Sequence, residues 1–236
     1  FQGSTTGLDG DGLNAAVSGD TNAICDDDRT PDYTYPSCGG IAENGCSWTQ
    51  CSVDDVAFSA ALVQKVSANF CIDSDRVFAV GGSNGGMFVW DLGRDERSAE
   101  VFRAVAPILG LPHRGYLGPP VSESGMPVIS ITGSRDRTVP PGEWGQDTFT
   151  TTSDGDVYYY SSASAITKVW AEAHGCDATV PAEPVDIGSS SMECRGWSYC
   201  QSDSQWPPVM DCRGDMGHVY NLSSSWPLIL DFFEQL

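Results

Sequence analysis

The chain has 236 residues, 40% of them hydrophobic, and a formal net charge of -20; this suffices for one domain with a substantial core. The acidic balance excludes a nucleic-acid partner, which requires a basic face, and disfavours anionic membranes for the same reason. No apolar run approaches the ~18 residues that span a bilayer, and no signal peptide is visible, so any such segment is expected to have been removed.

Residues 1–52 lack a clear period and are rich in Gly, Asp, Thr, Asn and Cys. They read as a disulfide-pinned acidic loop region of the same domain. Asp9-Gly10-Asp11-Gly12 matches the opening of a calcium loop, but Leu13 stands where an acid is needed, so a solvated acidic turn is expected. Residues 53–236 carry the regular pattern. From Val53 to Phe70, apolar Val56, Ala60, Leu62, Val63, Val66 and Phe70 follow a helical period, with Asp54 and Asp55 suiting the helix start. A strand follows at 76–81, then a helix from Asn84 to Asp95 and a strand at 102–108. The pattern continues with a strand at 127–132, a helix near 161–173, a short strand near 208–212, and a C-terminal helix from about Pro227. Ser225 and Pro227 fit the N-cap region and first turn of that last helix. Alternating strands and helices predict an α/β fold with a mostly parallel, doubly wound sheet and helices on both faces.

One local pattern carries chemistry. Gly81-Gly82-Ser83-Asn84-Gly85-Gly86 follows the apolar run Val77-Phe78-Ala79-Val80 directly and opens a helix. Such a strand–turn–helix around Gly-x-Ser-x-Gly is a nucleophile elbow, with Gly81 and Gly85 expected to let backbones pass closely. It demands an acid and then a histidine further along the chain. Asp136 lies in the loop Ser134–Pro141 just past a strand, and His218 ends the glycine-rich Gly214-Asp215-Met216-Gly217-His218. Serine alone is a poor nucleophile. His218 would take its proton, and Asp136 would hold the imidazole tautomer and stabilise the imidazolium. Asp136 also fits a plain turn residue. Asp215 is the rival acid, although so close to His218 it suits loop shaping better. His113, in a Pro/Gly-rich stretch, and His174, a helix-capping cation before Gly175, read as structural or surface residues.

Nine cysteines indicate an oxidising compartment, and no Cys-x-x-Cys or His/Cys cluster gives a metal spacing. Cys25, Cys38, Cys46, Cys51 and Cys71 precede the elbow; Cys176, Cys194, Cys200 and Cys212 follow Asp136. The second group allows two bridges around the loop that presents His218, with connectivity open. The odd total leaves one thiol free or paired outside the chain. Asn221-Leu222-Ser223 is a glycosylation sequon.

Several longer stretches resemble a known family. Ser52–Phe58, Cys71–Phe78, Gly82–Met87, Thr132–Pro140, Trp170–Cys176 and Gly214–His218 are similar to the secreted polyhydroxybutyrate depolymerases and feruloyl esterases, α/β-hydrolases related to family 1 carbohydrate esterases. The resemblance covers roughly residues 46–236. It implies an α/β-hydrolase fold, a Ser83–Asp136–His218 triad, and hydrolysis of an ester on an extracellular polymer or its fragments without metal or other cofactor. The expected partner is an ester substrate, from a plant cell-wall polysaccharide or a polyester. The charge suits neutral xylan, polyesters or small aryl esters better than acidic polysaccharides. Trp144, Tyr199 and Trp206, with Trp197, lie in loops. They either stack on sugar or feruloyl rings or pack over the disulfide-rich loops.

The chain departs from the family pattern in three places. Val219-Tyr220 follows His218 where the family has Trp-Pro, and residues 142–160 are longer than usual. The N-terminal strands and a His-Gly-rich loop that donates an oxyanion amide are missing. Asn84 N–H is thus one oxyanion donor, and the second has no candidate. Phe1-Gln2-Gly3-Ser4 reads either as the scar of a cleavable tag or as the end of a family strand. The latter explains the missing motif and the odd cysteine together, with an upstream segment or chain completing the sheet. A serine peptidase or acyltransferase of the same fold, or a hydrolase-fold binding protein without turnover, are the rival expectations.

Overall fold

The computed structural model describes residues 55–112, 125–142, 148–151, 157–188, 190–197, 200 and 205–236. The expected loop region 1–52, His113, Trp144 and Tyr199 lie outside the described residues. Helix α1 (Asp55–Ser67) precedes β1 (Phe78–Gly82), α2 (Asn84–Arg94), the short α3 (Glu96–Ala99), β2 (Ala104–Ile108) and β3 (Val128–Gly133). A hairpin of β4 (Thr148–Thr151) and β5 (Val157–Tyr160) follows, then α4 (Ala163–Ala173), β6 (Glu183–Pro184), β7 (Glu193–Gly196), β8 (Val209–Gly214) and α5 (Leu222–Glu234).

The main sheet has six strands in the order β1-β2-β3-β8-β7-β6. β1, β2, β3 and β8 run parallel, whereas β7 and β6 are antiparallel additions. β2 and β3 are buried throughout, as expected for apolar runs covered on both faces. On one face, α2 and α4 cover Ala79, Val105, Val128 and Val209, with Trp90 of α2 meeting Trp170 of α4 edge-on at 4.8 Å. On the other face, α5 packs Leu228, Ile229, Phe232 and Phe233 over Ala104, Ile129, Ile131 and Met210. Phe233 stacks on Phe78 at 4.2 Å. The molecule is therefore a mixed α/β fold with a mostly parallel sheet between helices. No helix among the described residues is long and apolar enough to cross a membrane. β1 is an edge strand among the described residues, and the apolar Leu222, Trp226 and Leu230 stay exposed on the flank of α5 nearest Phe233.

Some boundaries differ from the sequence expectation. Residues 74–76 form a 3₁₀ turn, capped by the Asp73 carboxylate accepting from Asp75 N–H at 3.1 Å, so the strand starts at Phe78. α5 begins at Leu222, five residues before Pro227, with Asn221 as its N-cap. Ser225 is inside this helix, its hydroxyl donating to Asn221 C=O at 3.0 Å. A proline forfeits one i→i−4 bond and favours the first turn; here the apolar face of α5 outweighs that preference. The hairpin β4–β5, the short β6 and β7, and α3 gave too little periodicity to be read.

The four downstream cysteines form the bridges Cys176–Cys200 and Cys194–Cys212. Cys194 and Cys212 are direct partners in the β7–β8 register, so this bridge clamps β7 to the strand that leads to His218. Sequence separations of 24 and 18 residues correspond to roughly 3 kcal/mol of loop-closure stabilisation each in the chain-entropy account. Cys71 is a free, exposed thiol.

A polar layer is buried between β3, β7 and β8. Asp211 lies opposite Ser130 on one side and Arg195 on the other. Its Oδ2 accepts from Arg213 Nη2 at 3.3 Å, and Arg213 Nη1 donates to Gly142 C=O at 2.7 Å. Burial pushes the Asp211 carboxyl up from 3.8 to about 6, against the pull of Arg213 and Arg195. With the folded-state value above the unfolded one, this group's contribution to stability is full below pH 3.8 and is lost as pH rises through about 6. Asp211→Asn, which cannot ionise, is expected to gain roughly 3 kcal/mol relative to the parent chain between about pH 4 and about pH 7. Urea titrations of both chains across that range check this; stability curves that stay parallel would refute it.

Candidate active site

Three loops at the carboxyl ends of parallel strands meet at one point. Ser83 follows β1, Asp136 follows β3 and His218 follows β8. Ser83 sits between strand and helix at φ 52°, ψ -120°, a conformation that costs a residue with a Cβ about 1–3 kcal/mol. Its surroundings hold it there. Ser83 N–H donates to Ile108 C=O at 2.7 Å, and Ser83 C=O accepts from Met87 N–H at 3.0 Å. Gly81 is required at this crossing, because a Cβ there would stand 2.2 Å from the Gly85 carbonyl oxygen. Gly85 differs from expectation: a Cβ on it meets nothing within 4 Å. The close approach is made by its carbonyl, and the steric demand falls on Gly81.

The three side chains form one hydrogen-bonded chain. His218 Nδ1 lies 2.7 Å from Asp136 Oδ2, and His218 Nε2 lies 2.9 Å from Ser83 Oγ. A carboxylate only accepts, so Nδ1–H donates to Asp136 and Nε2 is left to accept from the serine hydroxyl. Asp136 is fully buried at its carboxylate, whereas the imidazole is partly open to solvent. The second carboxylate oxygen, Oδ1, accepts from Thr138 N–H at 2.8 Å and Val139 N–H at 2.9 Å. One carboxylate oxygen thus makes the turn and the other holds the histidine. An aspartate followed by a turn was the available signal for these two amides.

Asp215 is directed elsewhere. It pairs with Arg135 Nε at 2.7 Å, while Arg135 Nη2 donates to Asp215 C=O at 2.8 Å. Arg135 N–H and Ser134 N–H also donate to Met216 and Gly214 carbonyls at 3.0 and 2.9 Å. These bonds lace the aspartate loop to the histidine loop, which fixes the distance between Asp136 and His218. Among residues that the sequence did not single out, Arg135 therefore has the clearest supporting part.

Asn84 is the first residue of α2. The first helical bond runs from Met87 N–H to Ser83 C=O, so the Asn84 amide has no intrahelical acceptor and is free to bind an anion at the helix N-terminus. Trp206 lies far from this point. It precedes β8 at the opposite end of the sheet, where its amide donates to Gln235 Oε1 at 2.9 Å and its indole to Asp186 C=O at 3.2 Å. It packs against the α5 side of the core, the second of the two expectations for the loop aromatics being the one its contacts resemble. Trp197 is likewise a buried core residue. His174 is a buried C-cap rather than a capping cation; burial holds its imidazole below the usual value and so favours the neutral ring. Among the described residues, no group of three or more His, Cys, Asp or Glu is arranged to hold a metal. Set against known proteins, no family model matches the chain and no curated protein matches it.

Proposed function

We propose that this chain is a secreted serine carboxylesterase of the α/β-hydrolase fold, acting on aryl or hydroxyacyl esters through an acyl-enzyme on Ser83. The observation that carries the reading is the continuous Asp136–His218–Ser83 hydrogen-bond chain at the carboxyl edge of the sheet. Two disulfides and the acidic surface support an extracellular setting.

In this mechanism Ser83 Oγ attacks the ester carbonyl carbon while its proton passes to His218 Nε2. The carbonyl π pair moves onto oxygen, and the Asn84 amide donates to that oxyanion. Collapse expels the alcohol, which takes the proton from His218. Water, deprotonated by the same nitrogen, then attacks the acyl-serine and releases the acid. Asp136 stays ionised throughout and stabilises the imidazolium.

Turnover of p-nitrophenyl acetate or methyl ferulate, followed by acid quenching and peptide mass spectrometry, tests the reading. One acyl group is expected on the peptide containing Ser83. A folded sample that neither hydrolyses these esters nor reacts with a fluorophosphonate at Ser83 would overturn it.

A further inference from the structure

An esterase needs more than one donor at the developing oxyanion, and the Asn84 amide supplies only one. Tyr220 stands beside the same serine. It follows His218 by two residues, on a stretch tightened by a Val219 N–H bond to Gly217 C=O at 2.8 Å. The loop that places the imidazole therefore also places the phenol. An ideal Cβ built on Gly82, the residue before Ser83, would fall 2.3 Å from Tyr220 Cε1, 2.8 Å from Cζ and 2.9 Å from the hydroxyl oxygen. The ring thus occupies the space of the missing side chain at position 82. Half of the residue is exposed, and its hydroxyl has no hydrogen-bond partner among the described residues. A packed ring edge with a free polar tip beside a nucleophile is the arrangement of a group kept for substrate.

Resting on the esterase reading above, we propose that the Tyr220 phenol O–H is the second oxyanion donor. The two donors flank Ser83 along the chain, the Asn84 amide on one side and the phenol against Gly82 on the other. When Ser83 Oγ bonds to the carbonyl carbon, the π pair becomes a lone pair on oxygen, and the serine proton goes to His218. The phenol O–H donates to the oxyanion and transfers no proton. Tyrosine side chains are established chemistry for this role. The Val219-Tyr220 that follows His218 then has a use: the histidine loop carries a donor of its own.

Tyr220→Phe keeps the ring over Gly82 and removes only the hydroxyl. It is expected to lower kcat for p-nitrophenyl acetate and methyl ferulate about 10²–10³-fold, with KM little changed and an unchanged melting temperature. Affinity for phenylboronic acid, which forms a tetrahedral anionic adduct on serine, is expected to weaken in the same variant. Wild-type kcat and wild-type boronate affinity in Tyr220→Phe would overturn the proposal. If Tyr220→Ala then raised only KM, the ring would be a substrate wall. Acylation of Ser83 with an unaffected Tyr220→Phe sinks the donor role and leaves the esterase reading standing. A wild-type chain inert towards ester and fluorophosphonate sinks both.

Discussion

Ser83→Ala and His218→Ala are each expected to lower kcat for methyl ferulate by about 10⁶, and the double variant is expected to be no slower than either. The equality follows from the geometry. Among the described residues, Ser83 Oγ has one side-chain proton acceptor in reach, His218 Nε2 at 2.9 Å, and that nitrogen has no other side-chain partner. Without the imidazole the hydroxyl keeps its proton; without the hydroxyl the imidazole has nothing to activate. Either deletion removes the same step, so the second has nothing left to remove. The residual rate over water is expected to come from the oxyanion donors and substrate binding. Steady-state kinetics on the two single variants and the double variant check this. Losses that multiply in the double variant would mean that Ser83 and His218 act separately, and the acyl-enzyme route would fall. Ser83→Ala is expected to fold as the parent does, since the main-chain bonds of Ser83 to Ile108 and Met87, and not its side chain, hold the elbow.

How much of this was legible in the sequence depends on the range of the forces involved. The elbow was readable because its demands are local: Gly81 has no room for a Cβ, and a strand must stop where a helix starts. β2 and β3 were readable because strands buried on both faces must be continuously apolar. The start of α5 was misread because Pro227 suggested a first turn, while the packing of Leu228, Ile229, Phe232 and Phe233 on the sheet carries the helix through it. Disulfide pairing was closed to sequence reasoning, since Cys194 meets Cys212 only through the antiparallel register of β7 on β8. The choice between Asp136 and Asp215 was equally a matter of tertiary structure: both flank the site, but Arg135 captures Asp215. Tyr220 was visible as an oddity after His218. Its nearness to Gly82 needed the turn between β8 and α5.

Asp136→Asn is expected to cut kcat by about 10⁴ while leaving the fold intact, because it locks the histidine into the wrong tautomer. The structure determines which way the new amide points. Two main-chain donors, Thr138 N–H and Val139 N–H, converge on the Oδ1 position at 2.8 and 2.9 Å. An NH₂ group there would face two other N–H groups, leaving buried donors unpaired at a cost of about 1–3 kcal/mol. The asparagine carbonyl therefore takes those amides, and its NH₂ is left to face His218 Nδ1. Nδ1 must then accept, so the proton moves to Nε2, which points at Ser83 Oγ. A protonated Nε2 cannot take the serine proton, and attack stalls although every heavy atom keeps its place. KM is expected to change little, since Asp136 is buried away from substrate. Raising the pH should restore part of the rate as hydroxide replaces the missing base. NMR of the imidazole nitrogens reads the tautomer directly: the proton is expected on Nδ1 in the parent chain and on Nε2 in the variant. The same tautomer in both, with a large loss of rate, would show that Asp136 acts by its charge alone and that the two backbone amides do not set the orientation.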